Sequence, residues 1–324
     1  MKIVVLDGYA LNPGDISWEM IRQFGELEVF DRTGYDLSGQ SLVVERGKDA
    51  KVILTNKTPV SRGAIDQLPK LKYIGVLATG YNIVDVTAAK EKGIVVTNIP
   101  AYGTAAVAQM AIALILELCH HAGAHNDAVK KGEWTNHPDW SFWKYPLVEL
   151  DGKTLGIVGF GRIGQATAKI AQAMGMKIVA HTPRPQREME SDTLTFGSLS
   201  DVWKKADFIS LHCPLFRETE GLINHESISQ MKDGVRIVNT SRGALIEEKD
   251  LAEALKTGKV AGAAVDVVSQ EPIRDHNPLL CAPNCLITPH ISWAPIEARR
   301  RLMKLAAENL THYIKGHPIN VVNP

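Results

Sequence analysis

Cysteine is scarce in this chain, and neither sign of charge is in excess. Four cysteines in 324 residues, with no dense or paired framework, exclude a disulfide scaffold and suit a reducing compartment, so the cytoplasm is the expected setting. Thirty-six Lys and Arg cancel thirty-six Asp and Glu, leaving no overall field to recruit nucleic acid or an acidic membrane surface. Long apolar runs are missing as well. The longest, Ala105 to Cys119, is interrupted by Gln109 and Glu117 and falls short of the ~20 residues of a bilayer helix, so no membrane span is expected. The opening Lys2-Ile3-Val4-Val5-Leu6-Asp7 is too short and too acidic at its end for a signal peptide, and none is expected. Cys281 and Cys285 form a C-x3-C, and His121 and His125 lie four apart in a helical pattern. No second pair close in sequence completes a zinc set, so no metal site is expected.

What is present is an ordinary globular composition, 45% hydrophobic and 22% charged, over a length that suits about two domains. The first hundred residues alternate short apolar runs (Ile3–Leu6, Val52–Thr55, Tyr73–Val76, Ile94–Thr97) with helical segments near Asp15–Phe24 and Val84–Lys92. Alternating strands and helices predict a parallel sheet covered on both faces. Asn98-Ile99-Pro100-Ala101-Tyr102-Gly103 breaks the pattern before a long apolar helix from Thr104, and a domain crossing is placed there. The alternation restarts at Asp151 with Thr154–Val158, Ile178–Ala180, Phe208–Leu211, Val235–Asn239, Val260–Val265 and Leu286–Thr288, a second α/β domain. A C-terminal helix, about Pro295 to Lys315, carries an apolar stripe of Leu302, Leu305, Ala306, Leu310 and Tyr313. Between Lys130 and Leu150 an irregular stretch holds Trp134, Trp140, Phe142, Trp143 and Tyr145. It reads either as a plug on its own body or as an arm toward a second subunit or a site.

Gly159-Phe160-Gly161-Arg162-Ile163-Gly164 matches G-x-G-x-x-G between a predicted strand and a predicted helix. Glycines there permit a tight turn and close approach of a pyrophosphate, which the helix N-terminus attracts. Where a carboxylate would accept the ribose hydroxyls of NAD, at the end of the next strand, the chain has Ala180-His181-Thr182-Pro183-Arg184. A 2′-phosphate is not repelled there, and Arg184, with Arg187 beyond it, suits one. Three further strand ends carry chemistry: Asn239-Thr240-Ser241-Arg242-Gly243, Asp266 to Glu271-Pro272, and Thr288-Pro289-His290-Ile291-Ser292-Trp293. Ligands collect at that edge of an open parallel sheet, where an Arg, a Glu and a His can converge.

With these motifs the chain resembles the D-isomer-specific 2-hydroxyacid dehydrogenase family over nearly its whole length. Ala78-Thr79-Gly80-Tyr81-Asn82, Val107-Ala108-Gln109 and Pro289-His290-Ile291-Ser292-Trp293 bring it closest to the glycerate dehydrogenase and hydroxypyruvate reductase members. The resemblance implies two Rossmann-like or flavodoxin-like α/β domains with parallel sheets. Residues 1–100 and 295–324 would form a split substrate-binding domain, and residues 101–294 an inserted NAD(P)-binding domain with a dimerisation arm over 117–149. It implies hydride transfer between NAD(H) or NADP(H) and a small 2-oxo or D-2-hydroxy acid, foremost hydroxypyruvate or glyoxylate. D-lactate-like or phosphite-like dehydrogenases and a nucleotide-sensing corepressor are the alternatives.

By the same resemblance, His290 is the general acid and base, Glu271 holds its other ring nitrogen, and Arg242 binds the substrate carboxylate. Backbone N–H groups around Thr79 and Gly80 complete that carboxylate site. Gly159, Gly161, Arg162, Ile163 and Gly164 cradle the pyrophosphate. His181 and Thr182 face the adenosine ribose, Cys213 and Pro214 line the adenine pocket, and Thr240 and Asp266 lie near the nicotinamide; Arg184 joins the cofactor site through its charge toward a 2′-phosphate. Glutamate rather than glutamine at 271 disfavours the formate dehydrogenase branch. A homodimer is expected, with Trp140 or Trp143 reaching the neighbouring site, and NADPH is expected to serve at least as well as NADH.

Overall fold

The computed structural model describes all 324 residues. They divide into unit 1, Met1–Gly103 with Ala294–Pro324, and unit 2, Thr104–Trp293. Both are α/β with parallel sheets, the expected fold class.

In unit 1, β1 (Lys2–Val5), β2 (Glu26–Val29), β3 (Val52–Thr55), β4 (Tyr73–Val76) and β5 (Val95–Thr97) form a parallel sheet in the order β2-β1-β3-β4-β5. β3 and β4 are buried at every position, as the continuous apolar runs of a doubly covered sheet require. The edge strand β2, Glu-Leu-Glu-Val, exposes its two glutamates, and so lacks the apolar run by which the others are recognised. The helix expected over Asp15–Phe24 is a single turn, Glu19–Arg22. The helix Ile296–Ile314 buries Leu302, Met303, Ala306 and Leu310. Its Arg299 makes a two-pronged ion pair with Asp15 at 2.7 and 2.6 Å, and that guanidinium holds the Asp15 carboxyl below the usual carboxylate range.

In unit 2, β6 (Thr154–Val158), β7 (Lys177–His181), β8 (Leu194–Phe196), β9 (Phe208–Leu211), β10 (Val235–Asn239), β11 (Val260–Val265) and β12 (Cys285–Ile287) are parallel, in the order β12-β11-β10-β9-β6-β7-β8. The strand order reverses beside β6, and ligands of open α/β sheets bind at that switch point, beyond the carboxyl ends of the strands. The helix Thr104–His120 packs against the helix Arg162–Ala173, and its Ala111, Ile115 and Cys119 join a core with Leu155, Ile157 and Phe160. Its apolar surface is largely spent inside the unit. No single helix of the chain is long and apolar enough to cross a membrane. His121, left-handed at φ 47°, separates it from the next helix, Ala122–Lys130, so His121 and His125 do not share one continuous helix.

The aromatic segment that follows is not a plug. Trp140 is 87% and Trp143 68% exposed, while Tyr145 lies tilted against His121 and Phe142 stacks on His137.

Candidate active site

The turn after β6 is built from glycine where nothing else fits. Gly159 has φ 98°, and a Cβ there would lie 2.4 Å from the backbone nitrogen of Cys213, so this glycine brings the loop onto the segment beyond β9. A Cβ on Gly161 would meet nothing within 4 Å, so the space above the loop is open. The helix Arg162–Ala173 has Gly161 as its N-cap, with no side-chain cap and no acidic residue in its first turn. Its first N–H groups therefore face that space uncapped, the arrangement that binds a phosphate.

Around the loop, two buried polar atoms have no partner in the protein: Thr240 Oγ1 and His212 Nδ1. His212 Nε2 is hydrogen-bonded to Ser210 Oγ at 2.9 Å, and burial pushes its ring down to about 4. Cys213 is buried, its thiol pushed up to about 11, and Pro214 beside it is exposed. An open, uncapped cradle beside orphaned polar atoms fits a dinucleotide. On its far rim, the His181 carbonyl accepts the Gly159 N–H at 2.8 Å, and His181 Nδ1 is 3.0 Å from Gly197 O. Thr182 is half-buried and Arg184 exposed. Arg187 pairs with Glu190 at 3.2 Å, which leaves Arg184 as the cation of this rim without an ion pair.

At the carboxyl ends of β10, β11 and β12 the three expected catalytic residues come onto neighbouring loops. His290 Nδ1 donates to Glu271 Oε2 at 2.7 Å, the two side chains being 25% and 36% exposed. Arg242 is exposed, and its Nη1 donates to Ser241 O at 2.8 Å. A Cβ on Gly243 would lie 1.9 Å from the carbonyl carbon of Val268. Only glycine lets the Arg242 turn press against the segment that leads to Glu271.

Two residues hold this arrangement in ways the spacing does not reveal. Asn239, fully buried, donates from Nδ2 to Arg242 O and accepts from Ser241 N, pinning the Arg242 turn. Asp266, expected beside the nicotinamide, is fully buried, and its carboxylate accepts from Thr288 Oγ1 at 2.6 Å and from Ile291 N and Ser292 N at 2.8 Å each. Those donors flank His290, itself left-handed at φ 55°, a conformation that a non-glycine residue keeps only when its surroundings impose it. The Trp293 indole N–H donates to His290 O at 2.8 Å and closes the turn.

Thr79 and Gly80 belong to unit 1, just beyond β4, where the structure gives their N–H groups no acceptor in the chain. Thr79 Oγ1 donates to Ile99 O and Asn98 Nδ2 to Thr79 O, at 2.9 and 2.7 Å, fixing the turn. No group of three His, Cys, Asp or Glu side chains is gathered that would hold a metal ion.

Residues 112–292 match the NAD-binding domain of the D-isomer specific 2-hydroxyacid dehydrogenases. A hydroxypyruvate reductase of Blautia hydrogenotrophica is 57% identical over 323 residues, covering 100% of both chains. A glycerate dehydrogenase of Methylorubrum extorquens is 38% identical, covering 86% of this chain and 88% of its own. Among solved structures, an NADPH-dependent glyoxylate/hydroxypyruvate reductase of Sinorhizobium meliloti, in complex with NADP and malonate, superposes with a TM-score of 0.82. It is 28% identical, with 99% of this chain and 96% of that one covered.

Proposed function

This chain belongs to the D-isomer-specific 2-hydroxyacid dehydrogenase family, and we propose that within it the enzyme reduces hydroxypyruvate, or the smaller glyoxylate, to the corresponding 2-hydroxy acid. The observation that carries the mechanism is the His290–Glu271 pair at 2.7 Å. With Nδ1–H committed to a carboxylate, Nε2 is the nitrogen left to exchange a proton with substrate. The nicotinamide, when bound, supplies the hydride to the carbonyl carbon. His290 Nε2 gives its proton to the carbonyl oxygen, so that one hydride and one proton convert the 2-oxo acid to the 2-hydroxy acid; the reverse direction returns both.

Arg242 presents a planar fork of donors suited to a carboxylate. Its Nη1 bond to Ser241 O fixes the direction of the fork, and Nε and Nη2 serve the substrate. For Thr79 and Gly80 the support lies in their unengaged amides, which suit an anionic group. NADPH serves at least as well as NADH, since no carboxylate stands at position 181 and Arg184 carries an unpaired charge.

The protein works as a homodimer through the arm over residues 117–149. The exposure of Trp140 and Trp143 supports this, being more indole surface than a monomer comfortably shows to water. Four free thiols suit the cytoplasm.

The test is a panel of initial rates on hydroxypyruvate, glyoxylate, pyruvate and a branched 2-oxo acid with each cofactor. Hydroxypyruvate should give the highest kcat/KM. A clear preference for pyruvate or the branched acid overturns the substrate assignment, and a monomer in sedimentation at micromolar concentration overturns the dimer.

A further inference from the structure

The position that would carry a carboxylate in an NAD-selective enzyme is held by His181, and its ring is not free to choose its tautomer. Gly197 O, 3.0 Å from Nδ1, can only accept, so Nδ1 bears the hydrogen, and in the neutral ring the lone pair lies on Nε2. The neutral ring is thus an acceptor, as a carboxylate would be, but without its charge. On protonation Nε2 becomes a charged donor. The backbone at this position is tied down: His181 O accepts from Gly159 N at 2.8 Å, and β7 is paired to β6 through Val158 and His181.

The geometry points to His181 as a proton-controlled selector between the two nicotinamide dinucleotides. The neutral ring accepts from the ribose 2′-hydroxyl of NAD(H), and the imidazolium binds the 2′-phosphate of NADP(H). This rests on the reading that the loop Gly159–Gly164 binds a dinucleotide.

The other charges on the surrounding elements do not perform this function. Arg162 opens the helix after the loop, and Lys177 is at the far end of β7. Asp201, beyond Gly197, is held by Lys205 and Ser198. Arg187 is paired with Glu190, and Glu188 is exposed. Arg184 attracts a phosphate at every pH and sets the baseline; gain of a proton by the imidazole sets the slope. The phosphate also limits the window, since its second proton binds near pH ~6.

The experiment is calorimetric titration of the parent and of His181→Gln with NAD+ and NADP+ from pH 8.5 to 6.5. Glutamine keeps a donor for Gly197 O and cannot take up a proton. In the parent, the ratio of Kd for NAD+ to Kd for NADP+ should rise about tenfold across this range, one charge-assisted hydrogen bond. In His181→Gln it should stay flat. By linkage, NADP+ binding at pH 7.5 should take up protons in the parent more than in His181→Gln, read from titrations in buffers of different ionisation enthalpy. A flat ratio in the parent, or the same slope and uptake in both proteins, overturns the role of His181 while leaving dinucleotide binding intact. Failure of the parent to bind either dinucleotide overturns the binding reading itself, and the selector with it.

Discussion

Unit 1 and unit 2 are both doubly wound parallel sheets, yet they treat the amides beyond their first strands, β1 and β6, in opposite ways. Beyond β1, Asp7 is 1% exposed, and its carboxylate accepts from Asn56 N, Lys57 N and Thr58 N at 2.7, 2.6 and 2.7 Å. The chain has placed its own anion there. The helix after β1 is a single turn, Gly8–Leu11. Beyond β6 there is no such carboxylate, and the helix runs for 12 residues from an uncapped start. The fold fixes where such an edge lies, and the residue ending one strand decides whether it is filled from within or kept for a ligand.

The sharpest way to break this comparison is to remove the proposed proton donor of unit 2. His290→Ala should lower kcat by a factor on the order of 10²–10⁴, with dinucleotide affinity and melting temperature near the parent's. Loss of fold, or normal turnover, would contradict it. Arg242→Lys keeps the charge and loses the fork, and should also be severely impaired in kcat/KM. Asp7→Ala is the mirror experiment. It strands three backbone donors, at about 1–3 kcal/mol for each buried one, so denaturant unfolding should show a loss of roughly 3 kcal/mol or more. A stability change no larger than that of His290→Ala would mean that unit 1 does not depend on its internal anion.

Asp266→Asn probes the buried carboxylate of unit 2 that resembles Asp7 in its work. An amide cannot accept three N–H or O–H donors through two oxygens, and the His290 turn loses part of its support. We expect kcat to fall by roughly 10–100-fold, the usual reach of a misplaced catalytic group, with a shifted pH profile. A residue whose main work is to contact the nicotinamide would instead raise the KM for cofactor and leave the profile in place.

How much of this was legible in the sequence follows from the range of the forces involved. The glycine loop is local turn chemistry, so its spacing between a strand pattern and a helix pattern located it. The continuous apolar runs of β3, β4 and β6 announced strands. β8, Leu-Thr-Phe, is three residues at the sheet edge, too short for a pattern, and β2 is half glutamate. The proposed catalytic residues were legible as strand ends able to converge, but what holds them in place was not. Their placement depends on Gly243 meeting Val268, and on Asp266 reaching donors 22 to 26 residues away. A left-handed His290 carries no signal in its own identity.

The smallest expected effect concerns the cost of leaving a cradle open. His212 Nδ1 is buried without a partner, and burial holds the folded ring down at about 4, against about 6.5 for an unfolded histidine. Because the folded value lies below the unfolded one, its contribution is intact above pH ~6.5. As pH falls, the unfolded chain takes up a proton that the folded ring refuses, and stability is lost progressively until about pH 4, where both states are protonated. At pH 5 the loss should be roughly 1–2 kcal/mol. In His212→Gln, which keeps a bond to Ser210 without titrating, the urea midpoint should fall less between pH 7.5 and 5 than in the parent. Equal falls in the two proteins would show that the acid sensitivity of unit 2 comes from elsewhere, and that the orphaned nitrogen beside the nucleotide loop is tolerated without cost.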